Sequence, residues 1–298
     1  ASNTSALAFG GIGDSPPPSR GALTESWNGT NWTEVNDLNT SRDDVMGAGI
    51  ITSALAFGGH VPSPSGKTGV TESWNGTNWT EVNDLNTARS TGGGAGDTNT
   101  AALMYGGLEP SSSAKTESWN GTSWSEDGDL NSTVSGQGEF GSSTNALSFG
   151  GTQPPVTAQA EEWTGAGVPV GAWSTGGSLN LERRLASGVG TKDAGLVFGG
   201  DNPGMFANTE SYDGTSFTEV NDLNVAKRQM GQAGTQTSAL GFGGYTGSAY
   251  IDDTESWNGT NWTEVNDMNN AHSGSGSAGA SNTSALCAGG NDASTNNL

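Results

Sequence analysis

Carboxylates are the side chains whose spacing in this chain is regular enough to suggest chemistry. Two positions before the first ring of each of six aromatic pairs stands a glutamate: Glu25, Glu72, Glu117, Glu161, Glu210 and Glu255. Five pairs are followed by a second glutamate and then by an aspartate: Glu34, Glu81, Glu126, Glu219 and Glu264, with Asp37, Asp84, Asp129, Asp222 and Asp267. Paired carboxylates hydrolyse glycosides and bind Ca²⁺. A catalytic pair, however, needs two environments that separate its two pKa values, and equivalent positions of a repeat do not supply them. We therefore predict that these acids are structural and that they contact cations or the amides of turns.

Other residues that could ligate a metal or act as nucleophiles are few. The chain has two histidines, His60 and His272, which are distant in sequence, and one cysteine, Cys287, which excludes an intrachain disulfide and a cysteine-based metal site. No G-x-S-x-G, P-loop or H-E-x-x-H motif is present. Polar residues that break the repeat are scattered and form no evident acid–base pair: Asp43, Asp44, Gln137, Glu139, Arg184, Gln229 and Gln232. We predict no catalytic residue, no metal and no cofactor.

An internal repeat carries these side chains. An apolar run that ends in Gly-Gly occurs seven times, and the first glycines are Gly10, Gly58, Gly106, Gly150, Gly199, Gly243 and Gly289. The intervals of 44 to 49 residues lie in the range of propeller blades. The Gly-Gly pairs, among them Gly10 with Gly11 and Gly58 with Gly59, are predicted to be structural.

An aromatic pair follows each of the first six Gly-Gly runs. The pairs are Trp27 and Trp32, Trp74 and Trp79, Trp119 and Trp124, Trp163 and Trp173, Tyr212 and Phe217, and Trp257 and Trp262. All ten tryptophans of the chain occupy these twelve positions. Asn-Gly between two β-prone runs predicts a hairpin, so TESW and NWTEV are expected to be neighbouring antiparallel strands with both rings on one face. Each ring can bury roughly 150 to 250 Å², which indicates a core between stacked blades.

A third, glycine-rich stretch completes the unit, as in residues 44–50 and 90–96. Glycine inside a strand costs about 0.5 to 1 kcal/mol relative to alanine, and it is tolerated where another backbone approaches closely. The innermost strand of a propeller is such a place. The expected order is therefore inner strand, Gly-Gly strand, TESW strand and outer strand, which predicts an all-β propeller of four-stranded antiparallel blades.

This order of elements resembles the kelch-repeat β-propeller family. Its units carry an apolar run with Gly-Gly, an aromatic residue, a tryptophan and an arginine that leads into the next blade. The arginine position reads Arg42, Arg89, Val134, Arg183, Lys227 and His272, so the third and sixth repeats depart from the pattern. The near-identical TESWNGT phrases are also similar to repetitive virion proteins of tailed phages, especially marine ones. That likeness rests on the phrases alone and implies a structural role on a virion.

The strand order also predicts how the ring closes. The first Gly-Gly strand has no inner strand before it, and the last inner strand, residues 274–279, has no complete blade after it. We expect residues 1–280 to form six blades closed by that inner strand. Residues 281–298 would then be a surplus segment: a tail, a strand donated to a neighbouring molecule, or the start of an incomplete seventh blade.

The segments after the Gly-Gly pairs differ in every repeat and hold nine of the ten prolines. Because strands alternate in direction, these loops should emerge on one face of the disc. A rigid scaffold that displays diverse loops is typical of recognition proteins, although neutral drift in tolerant loops produces the same diversity. Candidate binding residues on this face are Arg20, His60, Lys67, Lys115, Met205, Phe206, Tyr245, Tyr250 and Ile251.

Charge and hydropathy limit the partners. The 31 acidic and 10 basic residues give a net charge of −21, which argues against nucleic acid because its binding depends on lysine and arginine. No apolar run is long enough for membrane insertion. We expect a non-enzymatic interaction propeller on a virion surface or outside the cell. Its partners would be a host-surface glycan or protein, other virion subunits, or further copies of itself. A secreted lectin-like adhesin is the alternative, and a propeller glycosidase or lyase is a remote one.

Overall fold

The computed structural model describes residues 4–13, 19–62, 65–165 and 171–291, and every regular element among them is a β-strand. The first strands are β1 (Ala6–Phe9), β2 (Ile12–Gly13), β3 (Ser19–Arg20), β4 (Thr24–Trp27), β5 (Trp32–Glu34), β6 (Met46–Ile50), β7 (Ser53–Phe57), β8 (His60–Pro62), β9 (Ser65–Lys67), β10 (Thr71–Trp74), β11 (Trp79–Glu81), β12 (Gly93–Thr98), β13 (Ala101–Tyr105), β14 (Thr116–Trp119) and β15 (Trp124–Glu126). They are followed by β16 (Gly138–Gly141), β17 (Asn145–Phe149), β18 (Ala160–Thr164), β19 (Ala172–Thr175), β20 (Ser187–Thr191), β21 (Ala194–Phe198), β22 (Thr209–Tyr212), β23 (Phe217–Val220), β24 (Gly231–Thr235), β25 (Ser238–Phe242), β26 (Thr254–Trp257), β27 (Trp262–Glu264), β28 (Gly276–Ser281) and β29 (Ser284–Ala288). In these parts of the chain no helix is long and apolar enough to cross a membrane.

Five antiparallel sheets have the predicted strand order. They are β6–β7–β10–β11, β12–β13–β14–β15, β16–β17–β18–β19, β20–β21–β22–β23 and β24–β25–β26–β27, numbered here as blades two to six. In each of them the glycine-rich strand is innermost and the NWTEV-type strand is outermost. The inner strands β6, β12, β16, β20, β24 and β28 pack against one another in succession. The predicted fold class, a six-bladed β-propeller, is confirmed.

The remaining strands belong to the two ends of this succession. Strands β1, β4 and β5 form a three-stranded sheet, blade one, with no inner strand among the described residues, and the sixth inner strand, β28, pairs with β29. Among the described residues β28 has no registered pairing with β1. The closure of residues 1–280 by the last inner strand therefore stays a prediction. Two short hairpins, β2–β3 and β8–β9, follow the first two Gly-Gly pairs.

The TESW strand and the outer strand are joined by a four-residue loop that explains the repeated Asn-Gly. In blade three, Trp119 pairs across the strands with Trp124, and their ring centroids are 5.5 Å apart. Asn120 Oδ1 accepts hydrogen bonds from the backbone N–H groups two and three residues later, at 2.9 and 3.0 Å. Gly121 has a φ of 91°, which favours glycine. The predicted hairpin, with both rings on one face, is confirmed.

Close backbone approach accounts for the glycines that recur at fixed positions of the repeat. A Cβ on Gly58 would lie 2.7 Å from the Arg89 carbonyl oxygen, and a Cβ on Gly188 of an inner strand would lie 2.6 Å from Cζ of Phe149. The other glycines assigned to structure also have positive φ: Gly10, Gly11 and Gly59. Crowding thus selects glycine both after the Gly-Gly strand and at the axis, as expected.

The core lies between blades. Phe57 of blade two stands 5.0 Å from the ring of Trp124 in blade three, and Trp124 Nε1 donates a hydrogen bond of 2.9 Å to Thr71 Oγ1. Three other joints repeat this bond: Trp79 to Thr24, Trp173 to Thr116 and Trp262 to Thr209. The exception is Phe217, which has no N–H and packs in one cluster with Ala160, which has no hydroxyl. In this joint, both the tryptophan and the threonine of the other joints are therefore replaced.

Ten of the twelve paired aromatics are buried. The two that differ are Trp27 and Trp32 of blade one, which are only partly buried. Because each blade buries its rings against a neighbour, the described residues cover the rings of blade one less than those of the other five blades.

Candidate functional site

The first glutamate of the second to sixth repeats ties two blades together. Glu117 and Arg89 are fully buried, with Arg89 Nη2 3.0 Å from Glu117 Oε1. Glu117 Oε2 also accepts the backbone N–H of Asn86 at 2.7 Å. Burial lowers the pKa of Arg89, and the charge of Glu117 opposes this shift. The same buried pairs are Arg42 with Glu72, Arg183 with Glu210 and Lys227 with Glu255. These carboxylates are thus structural, as predicted.

One joint shows the carboxylate without its cation. In the joint of Glu161, Val134 occupies the position of the basic residue. Glu161 still accepts the hydrogen bonds from amide groups that the glutamates of the other joints accept. Asn131 N and Asn131 Nδ2 each donate to Glu161 Oε2 at 2.7 Å. Burial raises the pKa of Glu161, and the hydrogen bonds from Asn131 only partly oppose it. The repeat position, rather than a catalytic demand, explains this perturbed group.

The variable loops are anchored to the neighbouring unit by a second set of contacts. From the second Gly-Gly pair onward, the residue after the pair bridges to the residue after the preceding basic position: Asp43 with His60, Ser90 with Leu108, Ser135 with Thr152, Arg184 with Asp201, Arg228 with Tyr245 and Ser273 with Asn291. For the fifth of these, Arg228 N donates to Tyr245 O at 3.1 Å and Tyr245 N donates to Arg228 O at 3.0 Å. The loops therefore share one face with the connections between blades.

A cleft of about 540 Å³ opens on this face beside blade six. Its walls are Arg228, Gln229, Tyr245, Ser248, Ala249, Tyr250, Ser273 and Asn291, and we call it the Tyr–Arg cleft. The rings of Tyr245 and Tyr250 are 5.3 Å apart at an angle of 53°. Arg228 Cζ lies 5.4 Å from the centroid of the Tyr245 ring, within the range of a cation–π contact. The cleft thus combines aromatic faces, a guanidinium and several amide and hydroxyl groups.

Arg228 is the charged residue among those that line the cleft. Its Nη1 lies 2.5 Å from Asp201 Oδ2, and Asp201, whose side chain is 4% exposed, also receives Arg184 Nε at 3.2 Å. Two guanidinium groups therefore share one buried carboxylate. Sequence reasoning did not assign Arg228 to binding. The position directly after the basic slot holds Asp43, Ser90, Ser135, Arg184, Arg228 and Ser273 in the six repeats, and this variation was the available signal.

The residues predicted to bind do not form one site. Tyr245 and Tyr250 meet in the Tyr–Arg cleft. Lys67 lines a second cleft of about 580 Å³ between the first two repeats. Lys115 stands apart from both, and its Nζ is 3.4 Å from Glu109 Oε2.

The other predicted binding residues lie near the roots of loops. A Cβ on Gly247 would lie 3.4 Å from Cε of Met205, so Met205 adjoins the loop of the Tyr–Arg cleft. Phe206 and Ile251 are partly buried, and their N–H groups donate to the second glycine of a Gly-Gly pair. Arg20 belongs to β3, and its side chain lies outside the described part of the structure.

Two groups of side chains have ligand atoms close enough to hold a cation. Within each group these atoms lie within 4.8 Å of one another: Asp43, Asp44 and His60 in one, and Asp252, Asp253 and Asp267 in the other. His60 Nδ1 is 3.9 Å from Asp43 Oδ1, and Asp267 Oδ1 accepts the backbone N–H of Thr254 at 3.2 Å. The sequence alone did not indicate either group, and acidic clusters of this kind also occur without a metal.

Glu139 of the inner strand β16 contacts the neighbouring inner strand β12. Glu139 Oε2 accepts the backbone N–H of Gly94 at 2.9 Å, and the hydroxyl of the buried Tyr105 has no hydrogen-bond partner. Burial raises the pKa of Glu139 to about 8, and the bond from Gly94 opposes the shift. Glu139 keeps part of its surface exposed.

Comparison with known proteins supports the fold. No protein-family model and no curated protein matches the sequence. Among solved structures, the chain is similar to YjhT, with a TM-score of 0.67 and 12% sequence identity over 82% of this chain and 91% of the YjhT chain. At this identity the likeness concerns architecture alone. The chain is therefore a β-propeller.

Proposed function

We propose that this chain is a non-enzymatic recognition propeller of a virion surface that binds a host-surface glycan in the Tyr–Arg cleft. The observation that carries the proposal is the Tyr245–Tyr250 pair beside Arg228 on the loop-bearing face. Aromatic rings provide apolar faces for sugar rings. A guanidinium and side-chain amides bind hydroxyl or carboxylate oxygens.

The dimensions of the cleft agree with such a ligand. Ligand sites usually measure about 300 to 1,000 Å³ and contain a few placed polar groups, and this cleft holds about 540 Å³. Its walls come from loops anchored by paired backbone hydrogen bonds, so little order has to be gained on binding. The guanidinium of Arg228 in the lining favours glycans that carry an acidic group.

The similarity of the TESWNGT repeats to repetitive phage proteins supports the placement on a virion. The use of the repeated carboxylates in blade joints supports the lack of a catalytic role. A secreted lectin-like adhesin would use the same cleft. Electron cryo-microscopy of native particles distinguishes the two by locating the propeller and the direction of its loop-bearing face.

The binding test uses a glycan array with the full chain, followed by calorimetry with the glycans that bind. Tyr250→Ala should weaken binding by about fivefold or more, because a stacked aromatic contributes about 1 kcal/mol or more. The matched control is Lys67→Ala, on the same face but in the second cleft, and it should leave the affinity unchanged. Binding to no glycan, or equal losses in both variants, would refute glycan recognition by this cleft and favour the loop face as an assembly contact.

A further inference from the structure

The repeat shows how a blade joint holds a buried positive charge. In the joint between blades one and two, Arg42 Nη2 lies 3.1 Å from Glu72 Oε1 and 3.4 Å from the Ala56 carbonyl oxygen. Arg42 Nη1 lies 3.2 Å from the Gly58 carbonyl oxygen and also donates to the carbonyl oxygen of Val70. One carboxylate oxygen and three main-chain carbonyl oxygens therefore surround the guanidinium group.

A compact cation serves in place of the guanidinium group. In the joint between blades five and six, the ammonium group of Lys227 lies 3.2 Å from Glu255 Oε1, and both side chains are buried. Neither Lys227 Nζ nor Glu255 Oε1 makes a hydrogen bond. The joint therefore requires a positive charge near the carboxylate rather than a particular pattern of hydrogen bonds.

The joint between blades three and four keeps the carboxylate in the same orientation. Glu161 Oε1 accepts the backbone N–H of Ser132 at 3.2 Å, and Glu72 Oε1 accepts the backbone N–H of Thr40 at the same distance. In both joints Oε2 accepts the backbone and side-chain N–H groups of one asparagine. Oε1 of Glu161 therefore faces the place that the positive group has in the other joints.

The same joint also keeps the three carbonyl groups. By repeat position they belong to Ser148, Gly150 and Gln159. Ser148 lies opposite Glu161 in the strand register, and Gly150 N donates to the Gln159 carbonyl oxygen at 2.9 Å. The matching residues of blade two have the same register and the same backbone bond, at 3.1 Å. The oxygen atoms that surround a cation in the other joints are therefore placed alike here.

Val134 supplies no charge to these oxygen atoms. Its backbone is held like that of Arg89, because Gly107 N donates to the Val134 carbonyl oxygen at 2.8 Å and Gly59 N donates to the Arg89 carbonyl oxygen at 3.0 Å. The two side chains therefore start from equivalent points. A valine side chain ends at its Cγ atoms, whereas an arginine side chain continues beyond Cγ to its guanidinium group. The side chain of Val134 is thus too short for the place that the guanidinium group occupies in the neighbouring joint.

We propose that a monovalent cation of the size of K⁺ binds in the joint between blades three and four, at Glu161 Oε1 and the carbonyl oxygens of Ser148, Gly150 and Gln159. Main-chain carbonyl oxygens can replace the hydration shell of K⁺. Glu161 is 5% exposed, and one monovalent charge neutralises its carboxylate. A divalent cation would leave an uncompensated buried charge, which is strongly destabilising. The bound cation thus has the role that Arg42, Arg89, Arg183 and Lys227 have in the other joints.

The test compares urea unfolding of the full chain in KCl and in tetramethylammonium chloride, at equal ionic strength and at the same mildly alkaline pH. Tetramethylammonium has the same charge, but its methyl groups keep that charge away from the oxygen atoms. Because the site exists only in the folded protein, K⁺ at ten times its Kd should raise the folding equilibrium constant about elevenfold. Crystals grown with thallium(I), which has nearly the radius of K⁺, give a second measurement on the natural protein, since anomalous scattering locates the ion.

Three variants show whether Glu161 and Val134 carry the effect. Glu161→Gln keeps the shape of the side chain but removes its charge, and Val134→Arg supplies the cation that the other joints have. Both variants should unfold equally in the two salts. The matched control is Glu126→Gln, which removes an exposed carboxylate of blade three and should keep the full difference between the salts.

The expected result is stabilisation of the natural protein by K⁺, its loss in Glu161→Gln and Val134→Arg, and an anomalous peak beside Glu161 Oε1. Equal unfolding of the natural protein in both salts, without a peak at Glu161, would overturn the proposal and leave a neutral carboxyl group in this joint. A difference between the salts that persists in Glu161→Gln would also overturn it, because K⁺ then acts at another place. None of these measurements involves a glycan, so the proposed function is tested separately.

Discussion

Replacing Arg89 by methionine tests whether the buried ion pairs hold adjacent blades together. Arg89 and Glu117 have no exposed side-chain surface, and Arg89 Nη1 also donates to the Lys115 carbonyl oxygen at 2.7 Å. Methionine fills much of the same space but leaves the Glu117 carboxylate buried without a cation. The joint with Val134 shows the consequence, because burial there raises the pKa of Glu161.

Removing one partner of a buried pair costs about 3 to 5 kcal/mol. For a chain of 298 residues, a loss of about 4 kcal/mol corresponds to a fall in Tm of about 6 °C.

Urea unfolding followed by tryptophan fluorescence measures this difference. The matched control is Lys115→Met, because Lys115 is 40% exposed and its contact with Glu109 spans 3.4 Å, and it should cost less than about 1 kcal/mol. The double variant Arg89→Met/Glu117→Gln should be more stable than Arg89→Met alone. If Arg89→Met unfolds within about 1 kcal/mol of the natural protein, the assignment of the pairs as blade ties is wrong.

Three further predictions concern Glu139, the contact of Phe217 with Ala160, and the C-terminal segment. The folded protein holds the Glu139 proton up to a pKa of about 8, whereas the unfolded chain releases it near its ordinary value, so stability is greatest in acid and falls as pH rises between the two. Glu139→Gln should therefore stabilise the protein more at pH 8.5 than at pH 5, by at most about 5 kcal/mol. The Tm of the variant and of the natural protein is measured across this pH range, and parallel Tm curves would contradict the prediction. Phe217→Trp should be tolerated better together with Ala160→Thr than alone, because the pair restores the N–H to hydroxyl bond of the other joints; a double-mutant cycle with no coupling would exclude that bond. Deleting residues 282–298 removes β29, which pairs with the inner strand β28, and should therefore lower the Tm; an unchanged Tm would show that this pairing adds little to stability.

The blade was predictable from the sequence because its contacts repeat. Asn-Gly between TESW and NWTEV specifies a hairpin, and its register then sets both rings on one face. The acids at fixed positions were correctly interpreted as structural, since residues such as Glu117 recur with an arginine in the preceding connection. A departure from the repeat can be interpreted in the same way, because Phe217 replaces the tryptophan and Ala160 replaces the threonine of the same joint.

The cleft was not predictable in this way. Tyr245 and Tyr250 were singled out from their loop, but Arg228 belongs to the connection from blade five and Asp201 to another loop. Their contact depends on the angle between blades and on the bridge between Arg228 and Tyr245, neither of which a local pattern encodes. The sequence also placed His60 among isolated residues, whereas the fold sets it beside Asp43.

Sequence alone determined the strand order, the blade core and the chemistry of the joints, because these depend on short-range periodicity that is copied many times. Tertiary structure decided which loops meet and which strand β28 accepts. Two copies of one phrase, residues 2–11 and 281–290, are nearly equivalent as local sequence. Only the surrounding structure distinguishes them, because β1 pairs with β4 of blade one whereas β29 pairs with the inner strand β28.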